Sequence, residues 1–179
     1  MTISPTGIEG LVVIEPKVFQ DHRGYFFESY NSNSYKLPYA YAFVQDNEAK
    51  SNKAVLRGLH MQRGEFAQGK LVRVVTGSVF DVAVDMRPSS STYKEWFGIE
   101  LTGENKKQLW VPRGFAHGYL VLEDNTIFSY KCDNFYNQPA ELGIRYDDAE
   151  INIQWPDVGQ SYIISDKDLL LGSAADLIL

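Results

Sequence analysis

Cysteine is almost absent: Cys132 is the only one in 179 residues. An internal disulfide and a Cys-rich zinc site are therefore both excluded. Histidine is rationed to three residues, His22, His60 and His117. Positive charge is in the minority, with 17 Lys and Arg against 23 Asp and Glu and a formal net charge of −6. A general nucleic-acid binder needs a basic face, so nucleic acid is not an expected partner. A local pocket of Arg and Lys for one small anion remains open. No apolar run approaches the roughly 18 residues of a membrane span, so no membrane partner is expected. Met1-Thr2-Ile3-Ser4-Pro5 lacks the basic start and apolar run of a signal peptide. The expectation is a cytoplasmic protein.

Aromatic residues are plentiful, at 13% with 11 Tyr and 10 Phe, which favours strands. Residues 79–86 alternate cleanly: Phe80, Val82, Val84 and Met86 fall on one face, and Asp81, Ala83 and Asp85 on the other. Residues 70–75 precede them across a tight Thr76-Gly77-Ser78 turn. Further strands are predicted at 11–15, 25–30, 43–48, 54–61, 96–101, 108–111, 118–122, 126–132 and 151–154. Polar or proline-containing turns separate them, as at Arg87-Pro88-Ser89 and Asn137-Gln138-Pro139. Short strands spaced about ten residues apart indicate a sandwich or barrel. Helical turns are expected only at 165–171 and in the final dozen residues. The reading is one all-β domain over residues 1–179, a jelly-roll barrel with short C-terminal helical turns.

Two histidines stand in matched Arg-Gly settings, Arg57-Gly58-Leu59-His60 and Arg113-Gly114-Phe115-Ala116-His117. Strand parity puts Gly58, His60 and Gln62 on one face, and Phe115, His117 and Tyr119 on another. Faces turned into a barrel would bring both imidazoles together at a common type of ligand site, beside Lys70 or Tyr130. A jelly-roll metal centre needs three or four His, Glu or Asp ligands, yet the place two after His60 is taken by Gln62. Proton transfer suits the inventory better. Imidazole has an unperturbed pKa near 6.5, suited to a base at neutral pH. Asp168 is a candidate orienting carboxylate, Tyr130 a candidate acid and Lys70 a cation for a developing oxyanion. Taken singly, each of these residues also has a structural reading.

Taken together, the motifs resemble the dTDP-4-dehydrorhamnose 3,5-epimerase family. The similarity runs from about Val13 to Asp168. It is carried by Phe19-Gln20-Asp21-His22-Arg23-Gly24-Tyr25-Phe26-Phe27-Glu28, Phe43-Val44-Gln45-Asp46-Asn47, 56–62, Gln68-Gly69-Lys70-Leu71-Val72, 79–87, 109–122, Tyr130-Lys131, Trp155-Pro156 and 165–168. The resemblance implies a cupin fold and a cofactor-independent, metal-free epimerase of a dTDP-linked 4-keto-6-deoxyhexose, inverting carbons 3 and 5. It implies His60 as base, Asp168 as its partner, Tyr130 as acid and Lys70 beside the enolate. Arg23, Glu28, Gln45, Asp46, Asn47, Arg57, His117, Glu141 and Lys167 are implied to line the nucleotide-sugar site, with Tyr136 stacking on the base. A homodimer is implied, in which residues around Phe19 to Glu28 complete the neighbour's pocket. The tail after Asp168, Leu169-Leu170-Leu171-Gly172-Ser173, departs from the family's proline-containing ending. Relatives include mono-epimerases and 3,4-ketoisomerases, and a non-catalytic sugar-nucleotide-binding cupin is the rival from another class.

Overall fold

Two six-stranded sheets face each other in a computed structural model that describes residues 1–177. The first sheet contains β1 (Thr2–Pro5), β2 (Val12–Glu15), β5 (Gln45–Ser51), β7 (Lys70–Thr76), β10 (Gln108–Val111) and β12 (Thr126–Cys132). Its spatial order is β1-β2-β10-β7-β12-β5. The second contains β6 (Val55–Gln62), β8 (Ser78–Asp85), β9 (Trp96–Thr102), β11 (Phe115–Val121) and β13 (Glu141–Gly143), ordered β13-β6-β11-β8-β9. The short β14 (Ile163–Ile164) runs parallel to β6. A separate hairpin joins β3 (Phe19–Asp21) to β4 (Gly24–Phe26). Among the described residues, one helix, α1 (Asp166–Leu169), and short 3-10 turns, including Ala174–Asp176, complete the fold. This is the expected all-β, cupin-type jelly roll with C-terminal helical turns. Among the described residues no helix is long and apolar enough to cross a membrane.

Apolar packing occurs in three layers. Between the sheets, Val72, Val74, Leu109 and Phe128 meet Val79, Ala83, Leu101 and Tyr119. Outside the second sheet, Val82, Val84 and Met86 are covered by Ile144, Ile151 and Ala174 of the C-terminal segment. Outside the first, Val12, Ile14 and Trp110 pack under Tyr35 and Leu37. The alternation in β8 is therefore real, but both of its faces are buried. Its more apolar set turns outward beneath the C-terminal segment, and its Asp-containing set turns into the barrel.

Several boundaries differ from expectation for physical reasons. The strand predicted over 25–30 stops at Phe26. Beyond it, the Tyr35 hydroxyl donates to the Glu28 carbonyl at 2.8 Å and Gln108 Nε2 to the Ser29 carbonyl at 3.0 Å, so side chains replace the ladder. Residues 151–154 form no strand. The Asp148 carboxylate accepts from the Glu150 and Ile151 amides, both at 3.0 Å, and curls the chain locally. The turn at Gly77 does not close a hairpin, because β7 lies in the first sheet and β8 in the second. Strands β1, β3, β13 and β14 were not expected; each is two to four residues long, too short for a periodic signal.

Candidate active site

Strands β6 and β11 lie side by side, with His60 opposite His117 and Arg57 opposite Tyr119. Two residues on β6 thus face one on β11 between these pairs, forming a β-bulge. The bulge lets Arg57 share a face with His60, which simple alternation forbids. Glycines make the close approach possible. Gly58 has φ +108°, and a Cβ there would lie 2.7 Å from both the Gly118 Cα and the His117 carbonyl oxygen. A Cβ on Gly118 would in turn lie 2.6 Å from the Arg57 carbonyl oxygen.

The shared face opens on a cavity of about 320 Å³ lined by Arg57, His60, Lys70, His117, Tyr130 and Asp168, among others. A neighbouring cavity of about 250 Å³ shares His60, Lys70 and Tyr130 with it and adds Gln45, Asn47, Gln62, Tyr136 and Glu141. Together they form one cleft crossing the mouth of the barrel. His60 Nε2 lies 2.7 Å from Asp168 Oδ1. The other carboxylate oxygen accepts from the Gly58 amide at 3.1 Å. Asp168 is itself located by Ser165, whose Oγ accepts from the Asp168 amide at 3.1 Å and caps α1. Burial works to raise the Asp168 pKa, but hydrogen bonds from His60 and Gly58 prevail and hold the carboxyl below its ordinary value. Desolvation lowers the pKa of the half-buried Lys70, although Cys132, Asp81 and Glu141 partly offset it. Burial raises the pKa of Tyr130, keeping its phenol protonated through neutral pH. Cys132, beside Lys70 in the register, is pushed up to about 11 by burial and stays a thiol.

At the cleft's rim, Glu141 Oε2 accepts from Tyr136 Oη at 2.8 Å and from Lys167 Nζ at 2.7 Å. Burial alone would raise Glu141, but these two partners leave it lowered. Gln45 and Asn47 face inward from β5, and Arg57 donates to Ser51 Oγ at 3.0 Å. Three expected residues lie elsewhere. Asp46, between Gln45 and Asn47, turns to the outer face of the sheet and pairs with Lys131 at 2.9 Å, so the placement beside the cleft is corrected by strand parity. Arg23 sits exposed on the β3–β4 hairpin and pairs with Asp21 at 2.7 Å. Glu28 follows that hairpin and accepts from Asn31 at 2.7 Å. Neither residue reaches the cleft of its own chain.

Asp81, not among the expected site residues, is fully buried with both oxygens 3.0 Å from His117 Nε2. The signal was present: an acid in the alternation of a strand that is buried on both faces needs a partner. Each barrel histidine thus has its own carboxylate, and His60 is the more exposed of the two. Among the described residues, no group of three or more His, Cys, Asp or Glu side chains is placed to hold a metal ion.

The cleft of this cupin-type barrel gathers a carboxylate-bound imidazole, a protonated phenol and a lysine amine, groups with the chemistry to take up or release a proton. The family model for dTDP-4-dehydrorhamnose 3,5-epimerase matches residues 5–176. The chain is 49% identical to the dTDP-4-dehydrorhamnose 3,5-epimerase of Escherichia coli, over 99% of this chain and 97% of that one. Among solved structures, it resembles the dTDP-6-deoxy-D-glucose-3,5-epimerase of Legionella pneumophila in complex with dTDP-4-keto-L-rhamnose. That likeness has a TM-score of 0.94 at 45% identity and covers 99% of this chain and 94% of the other. A 3′-monoepimerase of Streptomyces bikiniensis in complex with dTDP-quinovose matches at TM-score 0.89 and 29% identity, covering 96% and 87%. The chain belongs to the dTDP-4-dehydrorhamnose 3,5-epimerase family and is an enzyme of the isomerase class.

Proposed function

We propose that this chain inverts carbons 3 and 5 of a dTDP-linked 4-keto-6-deoxyhexose without a cofactor. The observation that carries the reading is the His60–Asp168 pair, 2.7 Å apart, in a cleft also lined by Lys70 and Tyr130. The ketone at carbon 4 acidifies the hydrogens on carbons 3 and 5. His60 takes one of them, and Asp168 holds the imidazole and stabilises its charged form. The electron pair moves onto the carbonyl oxygen as an enolate, which the Lys70 ammonium stabilises. Tyr130 returns a proton from the opposite face and the carbonyl re-forms. No oxidation state changes, so no redox partner is required. Arg57, Gln45, Asn47, His117, Glu141 and Lys167 hold the nucleotide sugar, and Tyr136 stacks on its base.

Arg23 and Glu28 enter this reading through a homodimer. The hairpin that carries Arg23 exposes Phe19, Tyr25 and Phe26, with Phe26 at 67% exposure, a surface suited to burial against a second copy. In that assembly the hairpin completes the neighbour's cleft. The substrate is a soluble nucleotide sugar, and the reaction is assigned to the cytoplasm.

Incubation with the 4-keto substrate in deuterated water tests the reaction. Deuterium is expected at both carbons 3 and 5. Incorporation at one alone would make this a mono-epimerase, and none at either would refute the proposal. His60→Ala should lower exchange by about 10²–10⁴-fold, the usual worth of a positioned base. Tyr130→Phe should impair reprotonation more than abstraction.

A further inference from the structure

Gln62 lies two residues beyond His60 on β6 and faces the same cleft, yet its amide is already committed elsewhere. Its Nε2 donates to the Phe66 carbonyl at 2.6 Å and to the Phe135 carbonyl at 3.2 Å. Its Oε1 accepts from the Asn137 amide at 2.7 Å. The side-chain amide has two N–H donors, and both are spent. The residue is 5% exposed. It therefore has no donor left for a ligand.

What Gln62 holds is the peptide on either side of Tyr136. A second glutamine holds Tyr136 itself: Gln45 Oε1 accepts from the Tyr136 amide at 3.0 Å. The backbone at 135–137 is thus tied at three consecutive residues, while Tyr136 as a residue remains 54% exposed at the cleft rim. A rigid backbone beneath an exposed aromatic face is a preorganised stacking platform. Loop ordering that binding would otherwise require has been completed on folding. Gln62 also anchors Asn137, whose side chain caps the 3-10 turn Gln138–Ala140 leading into Glu141. One amide therefore sets both Tyr136 and the carboxylate that its hydroxyl meets.

We infer that Gln62 is a positioning residue for nucleotide affinity, fixing the Tyr136 platform from beneath, and that it takes no part in proton transfer. This rests on the function proposed above, in which Tyr136 stacks on the base. The test measures calorimetric affinity for thymidine diphosphate and deuterium wash-in kinetics in parallel. Wild type, Gln62→Leu, Gln62→Glu and Tyr136→Ala are compared, with Gln62→Leu also combined with Tyr136→Ala. Both Gln62 variants remove the two donations, and Gln62→Glu keeps the shape.

The expected result is about a tenfold weaker Kd and a raised KM in either Gln62 variant, with kcat changed by less than about twofold. The double variant should be no weaker than Tyr136→Ala alone, because both changes act through one platform. A fall in kcat at unchanged KM, an unchanged Kd, or additive losses would each overturn the inference. Hydrogen exchange on the unliganded wild-type protein supplies an arm independent of whether the variants fold. The Tyr136 and Asn137 amides should be protected, and free exchange at both would also overturn it. Thymidine diphosphate binding by wild type without any wash-in would refute the proposed reaction and leave the affinity arms readable. No binding by wild type would overturn both.

Discussion

His60 and His117 stand opposite each other, and each meets a carboxylate, but their surroundings differ. Asp81 is fully buried and His117 nearly so, although His117 still lines the cleft, whereas His60 is more open to it and leans on Asp168. Asp168 is held below its ordinary pKa in the folded state. Its stabilising contribution is therefore full above the unfolded carboxylate value of about 3.9, and it is lost as pH falls through the lower folded value. Urea unfolding of wild type and Asp168→Asn at pH 7 and at pH 3 checks the sign. Wild type should lose more stability between the two conditions than the variant. An equal loss in both would show that Asp168 is not the group responsible.

At the scale of elements, the site depends on β6 and β11 approaching each other across two glycines. Gly58→Ala would introduce a side chain at positive φ and drive its Cβ into backbone atoms of Gly118 and His117. The expected cost is about 1–3 kcal/mol in chemical denaturation. Activity should fall further than stability alone predicts, because the Gly58 amide also binds Asp168. Most long elements were legible from sequence: β10 and β12 fall where their turn signals and alternation put them, and β6, β7, β8 and β9 lie within a residue or so at their ends. The bulge was not legible. It arises from pairing between strands more than 50 residues apart, and alternation within β6 alone put Arg57 on the wrong face. The failed strand at 151–154 has a similar origin, since Asp148 satisfies the Ile151 and Asn152 amides from outside the segment.

At the scale of the whole molecule, the expected arginine and glutamate lie on or just beyond an exposed hairpin, outside the cleft of their own chain. If the hairpin serves the neighbouring subunit, inactive variants should rescue each other. His60→Ala and Arg23→Ala chains are mixed, allowed to exchange subunits and assayed for deuterium wash-in. A heterodimer places both lesions in one site and leaves the other intact, so activity should return on mixing. Absence of recovery, with exchange verified by mass, would show that Arg23 acts within its own chain or not at all. Sedimentation should give twice the 20.3 kDa chain mass.

The sequence by itself determined the fold class, because alternation and turn chemistry are local and repeat along the chain. It also determined the chemical inventory: one thiol, three imidazoles, and a lysine and tyrosine in strands near them. Tertiary structure decided which of these meet. Asp168 comes 108 residues along the chain to reach His60, Asp81 turns inward to His117, and Asp46 turns away to Lys131. Such choices depend on register and on which sheet face is covered, and both are fixed only when distant strands pack together.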